Sequence, residues 1–103
     1  MEKSKCETFI GFAIRARKCK IGVNACKTLK KAKLIAVCSS TGESTFKEAE
    51  KLAAKFSCPL LITKGRTLES MTHKDNAKVM AVTDAALSQA ILKVKEEEFI
   101  ERV

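Results

Sequence analysis

The chain has 103 residues, 46% of them hydrophobic, with five cysteines and a formal net charge of +8. That length suits one domain and one core, since domains commonly run about 100–150 residues, and the composition is neither collagen-like nor that of a disordered chain. No apolar run approaches the roughly 20 residues of a membrane helix and no leader segment stands out, so a cytoplasmic protein without a membrane partner is expected.

In chain order, Ser4 and Glu7 have capping-box spacing, and Cys6, Phe9, Ile10, Ala13 and Ile14 recur at three- and four-residue steps. This predicts a first helix with one buried face. Cys19 to Ile21 is a very short strand leading to Gly22. Gly22 to Asn24 then reads as a turn opening a second helix that runs to about Lys31, because glycine accepts positive φ and Asn caps helices well. The apolar run Leu34 to Cys38 suits a central strand covered on both faces. Ser40 and Glu43 offer another capping box, and Phe46, Ala49, Leu52, Ala53 and Phe56 form a clean helical stripe.

Pro59 opens a strand over Leu60 to Ile62, a tolerated place for proline. Gly65 and Thr67 start a short helix ending near Met71, and the loop Thr72 to Asn76 leads to the apolar strand Val79 to Val82. Thr83 and Asp84 supply a cap and a favourable charge for the last helix, whose stripe is Leu87, Ala90, Ile91 and Val94. The acidic tail from residue 96 to residue 103 is expected to extend that helix or fray. Alternating strands and helices at this spacing predict a single α/β domain, a three-layer α/β/α sandwich with a small mixed four-stranded sheet.

Charge is the most uneven property of the chain. Residues 1–35 contain ten basic and two acidic side chains, whereas residues 36–103 contain ten of each. Arg15 to Lys33 alone holds eight Lys or Arg and no acid. Such a field concentrates a polyanion, and nucleic acid is the preferred partner over a merely solvated face. With neither Trp nor Tyr, and with Phe9, Phe46 and Phe56 on core stripes, a platform for stacking single-stranded bases is not expected. Phosphate contacts, backbone groups and short polar side chains remain, and these suit structured RNA.

Enzymatic chemistry has no comparable signal. The four glycines are scattered, so no dinucleotide fingerprint or P-loop is formed, and no nucleophile elbow appears. His73, the sole histidine, has no organised second group and is expected at the surface rather than as a general base. The cysteines lack C-x-x-C spacing, so neither a metal centre nor any cofactor is expected, and free thiols point to a reducing compartment. Cys6, Cys38 and Cys58 lie in apolar patterns. Cys19 and Cys26 lie among cations, which act to lower a thiol pKa and make it reactive.

The order of Arg15-Ala16-Arg17-Lys18, Gly22-x-Asn24, the Ser39-to-Thr45 approach to the third helix, and Ala81-Val82-Thr83-Asp84-Ala85 resembles the ribosomal large-subunit "seven-Ae/thirty-e" superfamily of kink-turn RNA-binding proteins. The resemblance spans about residues 9–92 and is nearest to the short bacterial ribosomal-protein-like members. It implies an α/β/α sandwich and a non-enzymatic, ribosome- or rRNA-associated binder of sharply bent RNA. By position, Gly22 would admit close approach of the RNA, Asn24 would bond a base edge of the G·A pairs, and Lys27 would act as the nearby helix lysine. Arg15, Arg17, Lys18 and Lys20 would line the phosphate path, and Met71, Thr72 and His73 would form the second contact loop. Ala25 stands where tight kink-turn binders usually carry Glu, and the lost acceptor predicts weaker base selectivity. Two further functions fit the same sequence, a protein-interaction module docking an acidic partner and the RNA-binding partner of an rRNA-modifying enzyme.

Overall fold

In the computed structural model, residues 5–64, 67–94 and 99–102 are described. In chain order they form α1 (Lys5–Arg15), β1 (Cys19–Ile21), α2 (Val23–Lys27), β2 (Leu34–Val37), α3 (Glu43–Phe56), β3 (Leu60–Thr63), α4 (Leu68–Thr72), β4 (Val79–Val82), α5 (Ala85–Val94) and β5 (Phe99–Arg102). The strands make one sheet in the order β1-β4-β2-β3-β5. Strands β2 and β3 are parallel, and the other three pairs are antiparallel. The fold is α/β with a mixed sheet.

The sheet has five strands, not the expected four. The segment expected to extend the last helix or fray supplies the fifth, pairing Phe99 with Thr63 and Ile100 with Ile62 along β3. Phe99 explains the outcome, because its ring is 2% exposed and packs into the core. Phe and Ile also favour strands over helices, a signal masked in the sequence by the neighbouring acidic run. Glu96 to Glu98 lie outside the described residues.

Strand alternation sorts the core into two clusters. Leu34 and Ala36 of β2 and the following Cys38 join Met80 and Val82 of β4, Leu61 of β3 and Phe99, beneath Cys6, Ile10 and Ala13 of α1, Leu68 and Met71 of α4 and Ile91 of α5. On the opposite face Ile35, Val37, Val79, Ala81 and Leu60 meet Cys26 of α2 and Ala49, Leu52 and Ala53 of α3. Residues one apart on a strand point to opposite faces, so β2 and β4 are buried along their whole length. A one-residue slip of either would exchange the two side-chain sets.

The helix ends depart from expectation in two places. Glu43 is the first residue of α3 rather than its third, so Ser40 and Glu43 make no capping box; Gly42 is the N-cap and no side chain caps it. Helix α2 stops at Lys27 instead of about Lys31. The Thr28 hydroxyl donates to Ala25 O at 2.7 Å, and the Leu29 amide turns back to Cys26 O at 3.2 Å, local bonds that compete with helix continuation. Ser4 and Gly65 lie outside the described residues. Elsewhere Thr67 Oγ1 accepts the Ser70 amide at 3.1 Å to cap α4, and Asp84 Oδ2 accepts the Leu87 amide at 2.8 Å to cap α5.

Candidate nucleic-acid interface

Antiparallel pairing of β4 with both β1 and β2 brings three segments to one end of the sheet. Ile21 lies opposite Met80, and Val37 opposite Val79. The Gly22 amide donates to Val79 O and the Cys38 amide to Lys78 O, each at 2.8 Å. This end therefore gathers Gly22 and Asn24, the loop entering β4, and the turn leaving β2. Gly22 has φ 99° and ψ 145°, a backbone region that side-chain-bearing residues adopt only under strain. A Cβ built there would meet nothing within 4 Å, so the surface above it is open. Gly22 itself is the N-cap of α2, and no side chain caps the helix. Asn24, expected as the cap, is instead the second helical residue and is exposed.

The loop before β4 is anchored from two sides. His73 adopts a left-handed conformation at φ 59°, and its Nε2 lies 2.8 Å from Glu7 Oε2 of α1. The Glu7 side chain is 7% exposed while the histidine ring is 64% exposed, so the ring closes over a buried carboxylate. Glu69 then fastens the rest of the loop, accepting the Asn76 amide at 2.9 Å and Lys78 Nζ at 2.7 Å. The Lys78 hydrogen bond holds the Glu69 carboxyl below its ordinary value and raises the Lys78 ammonium above its own. Met71 and Thr72 sit inside, with Thr72 Oγ1 donating to Leu68 O at 3.0 Å. Their side chains do not reach the loop's outer surface.

The cations chosen from sequence do not form one patch. Lys20 is exposed midway along the edge strand β1. Lys27 reaches Glu48 Oε2 of α3 at 3.2 Å, which offsets its charge. Lys18 belongs to the other end of β1, where its carbonyl accepts the Thr83 amide at 2.8 Å, and Arg15 and Arg17 precede it there, both exposed. Four residues of strand separate Lys18 from Gly22 by roughly 13 Å, more than the Debye length of about 8 Å at physiological salt. The Arg15–Lys18 group and the Gly22–Asn24 group thus act as two neighbouring fields, with Lys20 between them.

Thiols follow burial rather than the surrounding charge. Burial pushes Cys19 up to about 12, helped by repulsion from Cys26, and burial pushes Cys26 up to about 11. The expectation that nearby cations would activate them is overturned, because the lysine heads extend into water while the sulfurs pack inward. Cys58 is also raised by burial. Cys38 goes the other way: burial acts to raise it, but hydrogen bonds from the Ser40 hydroxyl, the Leu68 and Ser40 amides and the Thr63 hydroxyl leave it below its ordinary value. The same turn is tied to β3 by the Ser39 amide donating to Thr63 Oγ1 at 2.8 Å.

No family model matches the sequence, and no curated protein matches it. A solved structure described as a protein with unknown function from Bacillus halodurans C is similar to this chain, with 24% identity and a TM-score of 0.75 over 92% of this chain and 100% of that one. The likeness shows the fold alone. Among the described residues no helix is long and apolar enough to cross a membrane.

The groups that shape the loop leave little trace in the sequence. Glu7 stands one position from Cys6 and three before Ile10, on the buried arc of α1, and an acid there signals a partner. Nothing in the sequence pointed to His73, 66 residues away, as that partner. Glu69 and Lys78 are nine residues apart in different elements, so helix spacing rules do not pair them.

Proposed function

We propose that the chain is a small, non-enzymatic, cytoplasmic RNA-binding protein, associated with the ribosome or rRNA, that recognises bent or internally looped RNA helices. The observation that carries this is Gly22, held at φ 99° with open space above it, next to exposed Asn24 and the loop ending at Lys78. Backbone can approach a bent RNA closely there, and a short amide side chain can pair with a base edge. The acid-free run from Thr8 to Gly42 supplies the attractive field. Helical groups on both faces of the sheet agree with the three-layer α/β/α sandwich of the superfamily that the sequence resembles.

Roles follow from position. Gly22 and Asn24 read shape, Lys20 and Lys18 hold phosphates along β1, and His73 presents the neighbouring loop. Met71 and Thr72 support that loop from within. Lys27, already paired with Glu48, contributes less than the free lysines.

Binding titrations of variants test the assignment. Lys18→Ala and Lys20→Ala should each weaken binding across RNA sequences and reduce the salt slope by about one ion. Asn24→Ala should remove the preference for kinked over straight RNA while leaving the salt slope. Equal behaviour of all three variants with wild type would refute the assignment.

A further inference from the structure

We propose that Phe12 and Arg15 on α1, backed by Arg17 and Lys18, form a second RNA contact that stacks one unpaired base flanking the bent helix; this rests on the RNA-binding function proposed above. Four of the five phenylalanines are accounted for by the core: Phe9, Phe46 and Phe56 pack against its clusters, and Phe99 is 2% exposed. Phe12 is 46% exposed. The Arg15 guanidinium carbon lies 5.1 Å from its ring centroid, and the Phe9 ring stands 6.4 Å away at 59°. Arg15 Nη1 lies 3.7 Å from where a Cβ on Gly11 would stand. The guanidinium is therefore folded back along the helix beside the ring rather than extended into water.

An exposed ring with a cation on its face and two further cations just beyond is a place for a flat, electron-rich ligand that carries a negative charge. A nucleobase with its phosphate has that chemistry, since bases stack on aromatic rings and on guanidinium planes alike. The surrounding acids do not oppose it. No Asp or Glu occurs between Glu7 and Glu43; Glu7 is buried against His73, and Asp84 accepts the Leu87 amide. A duplex base is unavailable for such stacking, so the ligand is single-stranded.

A hydrophobic protein partner fits less well. The other large hydrophobic side chain exposed among the described residues is Ile100. It lies on β5, at the opposite edge of the sheet from β1, and in register with Ile62, which packs with the α3 cluster rather than the α1 cluster. Among the described residues Phe12 is thus an exposed ring beside cations, with no second large exposed hydrophobic side chain next to it.

The test uses the full chain with two RNAs sharing one internally looped stem, one of them carrying a short unpaired flank with 2-aminopurine, and with a fully paired stem carrying the same flank. The flank should tighten wild-type binding about tenfold, as for removal of one stacked base, and its fluorescence should be quenched. Phe12→Leu should abolish the gain and the quenching while binding the unflanked stem as wild type does, and Arg15→Lys should lose part of the gain. A wild type that binds the stem with no gain from the flank overturns this proposal and leaves the bent-helix function standing. Equal loss on both looped RNAs in Phe12→Leu also overturns it, since that marks a packing role. Quenching that depends on Phe12 without any preference for the internal loop upholds the stacking site and sinks the shape-reading function. Binding to none of the three RNAs overturns both.

Discussion

Replacing Gly22 by alanine isolates the one backbone feature on which the proposed interface depends. At φ 99° and ψ 145° an L side chain is strained whatever surrounds it, and residues held in such regions cost about 1–3 kcal/mol. No packing contribution adds to this, because the new Cβ meets nothing within 4 Å. For a domain of this size that corresponds to a Tm lowered by about 4–8 °C per kcal/mol. Gly42→Ala is the matched control: its site is equally open, but its φ of −70° is ordinary for any residue. Urea denaturation of the two variants beside wild type should show Gly22→Ala destabilised by about 1–3 kcal/mol and Gly42→Ala within about 0.5 kcal/mol. Equal midpoints for the two variants would refute the role assigned to the Gly22 backbone.

Two further outcomes follow from buried groups. Ser88 is 2% exposed and its hydroxyl has no hydrogen-bond partner among the described residues, so Ser88→Ala should raise the urea midpoint by about 1 kcal/mol; a loss of stability would mean that the hydroxyl is satisfied. Cys19 and Cys26 hold their protons to about 12 and 11 when folded, while the unfolded thiols ionise from their ordinary value of 9.0. Stability that is complete below pH 9 should therefore fall as pH rises through 11 to 12, by up to about 1.4 kcal/mol per pH unit for each thiol. Denaturation of Cys19→Ala and Cys26→Ala between pH 8 and 11 should show shallower declines, and slopes equal to wild type would contradict the burial of these sulfurs.

Periodicity made most of the fold legible. The continuous apolar runs of β2 and β4 and the 3.6-residue stripe of α3 are each visible in a single segment. What escaped depends on contacts between segments. Strand β5 is too short to announce itself beside an acidic run, and it is fixed by Phe99 entering a core assembled from distant strands. For the interface, the acid-free stretch and the Gly22–Asn24 pair were readable, but their separation was not. Only the antiparallel register of β1 and β4 shows Lys18 beside Thr83 and Gly22 beside Val79, placing them at opposite ends. The Glu7–His73 pair likewise joins residues 66 positions apart, beyond any local rule. Cys19 and Cys26 show the converse error, since neighbours in sequence suggested a cationic environment that burial outweighs.

The most direct test of the central claim is equilibrium binding of the full chain to a kink-turn RNA and to a straight duplex of equal length across a salt series. The account predicts tighter binding to the kink-turn, with a preference that persists as salt rises, because phosphate contacts weaken with salt while recognition of shape by Gly22 and Asn24 does not. Equal affinities that fall together steeply with salt, or no binding to either RNA, would contradict it.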